Sequence, residues 1–156
     1  MSETTDKTPK RTDAELLARF RDSVSQPKGS VLLGFEMISV DQAAKQVEAL
    51  FDAREDFANP MRQIQGGYLC AMLDDVMSVA CMIASGMTHV APTLEMKTSF
   101  MRPALANGAK LRGVGRVVKW GRTIAFTEGE IWDADGKLLA KASGTAMPTP
   151  FANFKK

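Results

Sequence analysis

The sequence predicts an α+β protein in which a curved, mainly antiparallel sheet wraps around one long central helix, with a shorter helix at the N-terminus. Three observations carry this prediction. From Gly66 to about Ser85 the chain is apolar on every side except at Asp74, Asp75 and Ser78, and a helix of that kind is enclosed rather than laid on a surface. After Gly86 the hydrophobic period changes from that of a helix to that of a strand. The later strands follow one another through short turns, including the hairpin signal Asp135-Gly136, so neighbours run antiparallel.

The elements follow in order. Met1 to Arg11 is polar and mixed in charge, with no apolar signal-peptide core. It reads as a disordered lead-in over residues 1–12 of a cytoplasmic protein. Asp13 to Gln26 forms an amphipathic helix capped by Asp13, with Leu16, Leu17, Phe20 and Val24 on one face. Pro27-Lys28-Gly29 stops it, and residues 13–30 make up the N-terminal helix and linker. Val31 to Val40 and Ala43 to Phe51 are expected strands around a turn at Asp41-Gln42, although AAKQVEALF also fits a helix. Phe57-Ala58-Asn59-Pro60 is a loop, because a residue before proline avoids the helical region. Beyond the central helix, Thr93 to Met101 alternates, with Leu94, Met96, Thr98 and Phe100 on one side and Glu95, Lys97 and Ser99 on the other. Pro103 ends it. Lys110 to Trp120 and Thr123 to Asp133 are strands joined at Gly121-Arg122, and Lys137 to Met147 is the last. A single domain spans 31–150 and a tail covers 151–156.

Composition narrows the function. A chain of 156 residues, 45% hydrophobic and 24% charged, fits one soluble domain with its own core. A net charge of +2 without a basic stripe argues against nucleic acid. Adjacent aspartates in the middle of the apolar run argue against a membrane span. Cys70 and Cys81 stand about 16 Å apart on a helix, too far for a disulfide. With one histidine, His89, and no Cys-x-x-Cys spacing, no metal site is expected. His89 reads as structural. Met72, Met77 and Met82 read as core filler, with an acyl channel the alternative.

Asn59-Pro60, Gln65-Gly66-Gly67, Asp74, the TLEMKTSFMRPA strand, Gly121-Arg122-Thr123 and DADGKLLAKASGT occur in that order. The series resembles the hotdog-fold acyl-CoA thioesterases of the phenylacetate-pathway and 4-hydroxybenzoyl-CoA type, over roughly Leu32 to Pro148. The family motif is usually Asn-x-x-Gly-x-x-His-Gly-Gly with an acid nine residues after the His. Asn59, Gly66, Gly67 and Asp74 match it. Arg62 stands at the glycine and Gln65 at the His, where its amide still donates and accepts hydrogen bonds.

The resemblance implies hydrolysis of an acyl- or aryl-acyl-CoA to the free acid and coenzyme A, with no cofactor. The Gly66 N–H, at a helix N-terminus, would polarise the carbonyl, and Gly66-Gly67 would let the substrate approach the backbone. Asp74 would be nucleophile or general base. Its side chain and that of Asp75 point about 100° apart. The family register selects Asp74, leaving Asp75 as the better candidate for a solvated residue. Asn59, Gln65 and Ser78 would assist. Arg102, Lys119 and Arg122 are candidate partners of the coenzyme A phosphates. The alternatives are a non-catalytic acyl-binding module and, less favoured, a hotdog hydratase or dehydratase.

One constraint comes from spacing alone. Gly66 and Asp74 are separated by about 12 Å along one helix axis, so both can touch one thioester only if they come from two subunits. The mechanism therefore requires a homo-oligomer, a dimer or dimer of dimers, with shared sites.

Overall fold

Helix α3 (Gly66–Ala84) lies across the inner face of a six-stranded antiparallel sheet. The sheet comprises β1 (Glu36–Asp41), β2 (Gln46–Asp52), β4 (Thr93–Phe100), β5 (Lys110–Trp120), β6 (Ala125–Trp132) and β7 (Leu138–Ala146), in the order β1-β2-β5-β6-β7-β4. β3 (His89–Val90) and β8 (Thr149–Pro150), neither foreseen from the sequence, form a separate pair. The structure, a computed structural model, describes residues 11–23 and 25–154. The greater part of the expected lead-in, residues 1–10, and the Val24 contribution to the first helix fall outside the described residues.

The core is the contact between α3 and the middle of the sheet. Met72, Leu73, Val76, Met77 and Ala80 are fully buried, and the strands beneath them carry small residues. An ideal Cβ on Gly115 would lie 2.1 Å from the Val76 carbonyl oxygen, so only glycine admits the helix backbone this close to β5. Gly115 pairs with Gly129 on β6, whose own Cβ would strike the Met77 thioether. This close approach explains why an all-round apolar helix sits inside the sheet rather than over it. Met72 and Met77 are core, as expected.

The N-terminal third departs from expectation in detail. The first helix, α1 (Asp13–Ser23), is capped by Thr12 rather than Asp13. The Thr12 N–H donates to Glu15 Oε2 (2.7 Å) and the Glu15 N–H donates to Thr12 Oγ1 (3.2 Å), a reciprocal capping box. Asp13 Oδ1 instead accepts from the backbone N–H and the side-chain amide of Gln42, tying α1 to the β1–β2 turn. Val31 and Leu32, expected in a strand, belong to a short helix, α2 (Lys28–Leu32). Pro27 leads into that turn, and Gly34, at φ +69°, then redirects the chain into β1. The ambiguous AAKQVEALF segment is a four-residue turn, Gln42 to Lys45, followed by strand β2, where Val47, Ala49 and Phe51 alternate into the core.

Candidate active site

Loop geometry prepares the start of α3. Asn59 Oδ1 accepts from the backbone N–H groups of Met61 (2.9 Å) and Gln63 (3.1 Å), so its carbonyl holds the loop. Arg62 adopts φ +60°, the left-handed region that glycine occupies without strain, which explains why glycine fits the equivalent place in the motif. Gln65 is the N-cap: its Oε1 accepts from the Gly67 N–H at 3.1 Å, and its backbone carbonyl accepts from Tyr68. These bonds occupy the second and third N–H groups of the helix. Among the described residues the Gly66 N–H has no acceptor, and it is the free donor of the first turn. Beside it lies a cavity of about 440 Å³ bordered by Leu69, Phe100 and Arg102. An ideal Cβ on Gly66 would meet the tip of the half-exposed Phe100 ring at 2.9 Å, so a side chain there requires the ring to swing aside.

The two aspartates divide in a way opposite to expectation for Asp75. Asp74 leaves the helix toward the start of β4, where Thr93 Oγ1 donates to Asp74 Oδ1 at 2.5 Å. Asp75 is the enclosed one. Burial pushes its carboxyl above the ordinary range, a hydrogen bond from the Ser30 side chain pulls the other way, and the nearby Asp74 charge adds to the rise. Asp75 Oδ2 is shielded from solvent and has no hydrogen-bond partner among the described residues. The physical reason lies in the chain ends: the Ser25–Ser30 segment and Phe151 both fold against this side of α3. Together they enclose an apolar cavity of about 500 Å³ whose wall includes Asp75, Ser78, Met82 and Pro92.

Strand β4 spans both halves of the site. Gly66 sits against its last residue, Phe100, and Asp74 is held by its first, Thr93. These ends are about 23 Å apart along the strand, so one chain does not bring Gly66 and Asp74 together. The cationic residues divide in the same way. Arg102, just past Phe100, donates to the Leu138 carbonyl at 2.9 Å. Lys119 and Arg122 lie exposed at the opposite end of the sheet, beside the β5–β6 turn. His89 is structural: its Nδ1 shares a hydrogen bond with Thr88 Oγ1 (2.8 Å) and its ring meets Trp120 edge-on. Thr93 escaped sequence reasoning. Its signal is a hydroxyl residue at the first strand position after Pro92, nineteen residues from Asp74, a distance that no local periodicity links.

The profile of the thioesterase superfamily matches residues 64–140, from the loop before Gly66 into β7. A phenylacetic acid degradation-related protein of Ralstonia eutropha is 35% identical, covers 85% of this chain and 98% of its own, and superposes with a TM-score of 0.77. The chain belongs to the thioesterase superfamily. Its fold is the hotdog fold, and at the level of the family it is a thioester hydrolase. Two further members of the fold are more distant in sequence. The PaaI protein of the Escherichia coli phenylacetic acid degradation operon is 19% identical over 89% of this chain and 96% of its own, with a TM-score of 0.77. A Streptococcus mutans protein, solved bound to acetyl CoA, is 22% identical over 74% of this chain and 89% of its own, with a TM-score of 0.66.

Proposed function

We propose that this superfamily member hydrolyses acyl-coenzyme A thioesters at sites shared between two copies of the chain. The observation that carries the reading is the placement of Gly66 and Asp74 at opposite ends of one open edge strand. β4 pairs with β7 on one side and, among the described residues, is unpaired on the other. Leu94 and Phe100 on it, and Met101 beyond it, are each at least half exposed. An exposed apolar edge of this kind is a template for another strand. Antiparallel pairing of two β4 edges about a twofold axis brings the Phe100 end of one copy beside the Thr93 end of the other. Gly66 of one subunit then faces Asp74 of the other, twice per dimer.

In such a site the thioester carbonyl oxygen accepts from the Gly66 N–H, whose helix N-terminus favours negative charge. Asp74, oriented by Thr93, takes a proton from water. The resulting hydroxide attacks the carbonyl carbon, and the oxyanion collects at Gly66. As the oxyanion collapses the C–S bond breaks, and the leaving sulfur takes up the proton held by Asp74. The products are the carboxylic acid and free coenzyme A. Gln65 keeps the Gly67 N–H occupied, so the substrate meets a single defined donor. The Asn59 amide and the Ser78 hydroxyl are available to water and substrate. Arg102 from one subunit, with Lys119 and Arg122 from the other, would approach the phosphates from the two ends of the paired strands. The relative bound to acetyl CoA supports a coenzyme A ester as substrate.

Thiol release from a panel of acyl-CoA thioesters tests this. Asp74→Asn is expected to lose at least about a hundredfold in kcat; unchanged hydrolysis in that variant would overturn the mechanism. The shared site has its own test. Gly66→Pro removes the N–H at a helix position that tolerates proline. Gly66→Pro and Asp74→Asn subunits, each inactive alone, should regain about a quarter of native activity when refolded together in equal amounts, because each mixed dimer holds one intact site. No regain with mixed dimers present would refute shared sites.

A further inference from the structure

We infer that Phe100 is a positioning residue of the hydrolytic site: its ring closes one flank of Gly66 and directs the thioester carbonyl onto the Gly66 N–H from the adjoining cavity. This rests on the thioesterase reading above and adds to it a residue that acts through the oxyanion donor.

Glycine at position 66 has no backbone reason. It opens α3 and is not among the glycines with positive φ. Alanine there would favour the helix. What a side chain would meet is Phe100: the three atoms nearest an ideal Cβ are Cζ (2.9 Å), Cε1 (3.3 Å) and Cε2 (3.5 Å) of that ring. Gly66 and Phe100 are therefore matched in size.

The ring has no core reason either. Phe100 is half exposed, so burial does not hold it in place. Its backbone does. Phe100 pairs with Ala140 on β7, and the N–H groups of the next two residues, Met101 and Arg102, both donate to the Leu139 carbonyl at 2.7 and 3.1 Å. An aromatic side chain is thus anchored at its root, left outside the core, and laid with its tip against the residue that carries the free donor.

The Gly66 nitrogen lies about 2.5 Å from the place of that absent Cβ, so the ring flanks the donor itself. The same ring borders the cavity of about 440 Å³ beside Gly66. An apolar wall next to a hydrogen-bond donor does two things. It lowers the local dielectric, so a negative oxygen at the donor is stabilised more than it would be in water. It also gives the thioester a surface to rest on, which fixes the angle at which the carbonyl oxygen meets the N–H. Both effects favour the oxyanion over the ground-state carbonyl, and such effects appear in kcat rather than in KM.

A double-mutant cycle on an acyl-CoA thioester that the native chain cleaves tests the pairing, each variant being assayed where sedimentation gives the native oligomeric state. Gly66→Ala should lower kcat about tenfold or more, because the methyl displaces the ring, with KM changed by less than about threefold. Phe100→Leu shortens the side chain and keeps an apolar group on the edge strand; it should lower kcat about fivefold. Combined, the two should lower kcat no further than Gly66→Ala alone, because the shorter side chain makes room for the methyl. If glycine serves only the approach of the substrate, the losses multiply to about fiftyfold, and that result would overturn the inference. Amide hydrogen exchange read by NMR needs no turnover. The Gly66 N–H should exchange about tenfold faster in Phe100→Leu, while the Gly67 N–H, bonded to Gln65, keeps its rate. An unchanged Gly66 rate would refute the shielding. Native protein that cleaves no thioester defeats the hydrolytic reading and this inference with it, whereas native hydrolysis with multiplicative losses defeats the inference alone.

Discussion

The two faces of α3 obey different rules. One face, with Leu73, Val76, Met77 and Ala80, rests on the glycines of β5, β6 and β7 at near-contact with backbone. The other carries Asp74, Asp75 and Ser78 and meets the edge strand β4, the β3 segment and segments near the two chain ends. On the first face these side chains are all apolar and fully buried. On the second, a carboxylate oxygen is left buried without a partner and about 500 Å³ is left empty. A single element thus separates stability from chemistry by a rotation of about 100° between successive residues. Active sites are where such local violations of good packing are expected.

Substitutions can break this comparison or sharpen it. The largest effect belongs to the packed face. Gly115→Ala puts a methyl 2.1 Å from a main-chain oxygen that has no free rotamer to yield, and it should cost at least about 3 kcal/mol by chemical denaturation. A loss under about 1 kcal/mol would show that the helix is free to lift away. On the open face Thr93→Val removes the hydroxyl that orients Asp74. It should lower kcat about tenfold, with a change in unfolding free energy of about 1 kcal/mol or less. A loss of stability with kcat intact would move Thr93 to the structural face.

A smaller effect concerns Asp75 and has a defined pH dependence. Its folded carboxyl titrates above its unfolded counterpart. Below the ordinary carboxylate range both states are protonated and no charge is buried. As pH rises past that range the unfolded state releases its proton first, so stability falls until the folded group ionises too. Asp75→Asn should therefore raise the melting temperature at pH 7, with the gain shrinking toward pH 4 and below. A gain independent of pH would assign the effect to packing. The smallest change is at the loop. Arg62→Gly relieves a left-handed backbone and should stabilise by about 0.5 kcal/mol, the strain relieved being partly offset by the freer unfolded chain.

How much of this was legible in the sequence follows the same division. Helix α3 and strands β4 to β7 announce themselves because their periodicity is local and their residues repeat over many turns or pleats. Gly66 and Asp74 were legible as a spacing, and that spacing is what led to the proposal of a site shared by two chains. The division of labour between Asp74 and Asp75 was not. It is decided by Ser30 and Phe151, which lie 45 residues before and 76 residues after Asp75, and no local pattern encodes which side of a helix distant chain ends will cover. Thr93 was hidden for the same reason. Val31 and Leu32 misled because their β-branched and aliphatic character suggests a strand, whereas Pro27 before them and Gly34 after them dictate a turn of helix.

The position of α3 in the chain has a consequence for biogenesis. Its 19 residues, with a mean hydropathy of 1.5, leave the ribosome after β1 and β2 but before the four strands that complete the sheet around it. Until β5 and β6 have been synthesised, the most apolar segment of the protein has only part of its cover, a state prone to self-association. Nascent chains arrested just beyond Pro103 should therefore recruit a holding chaperone far more strongly than chains released past Ala146.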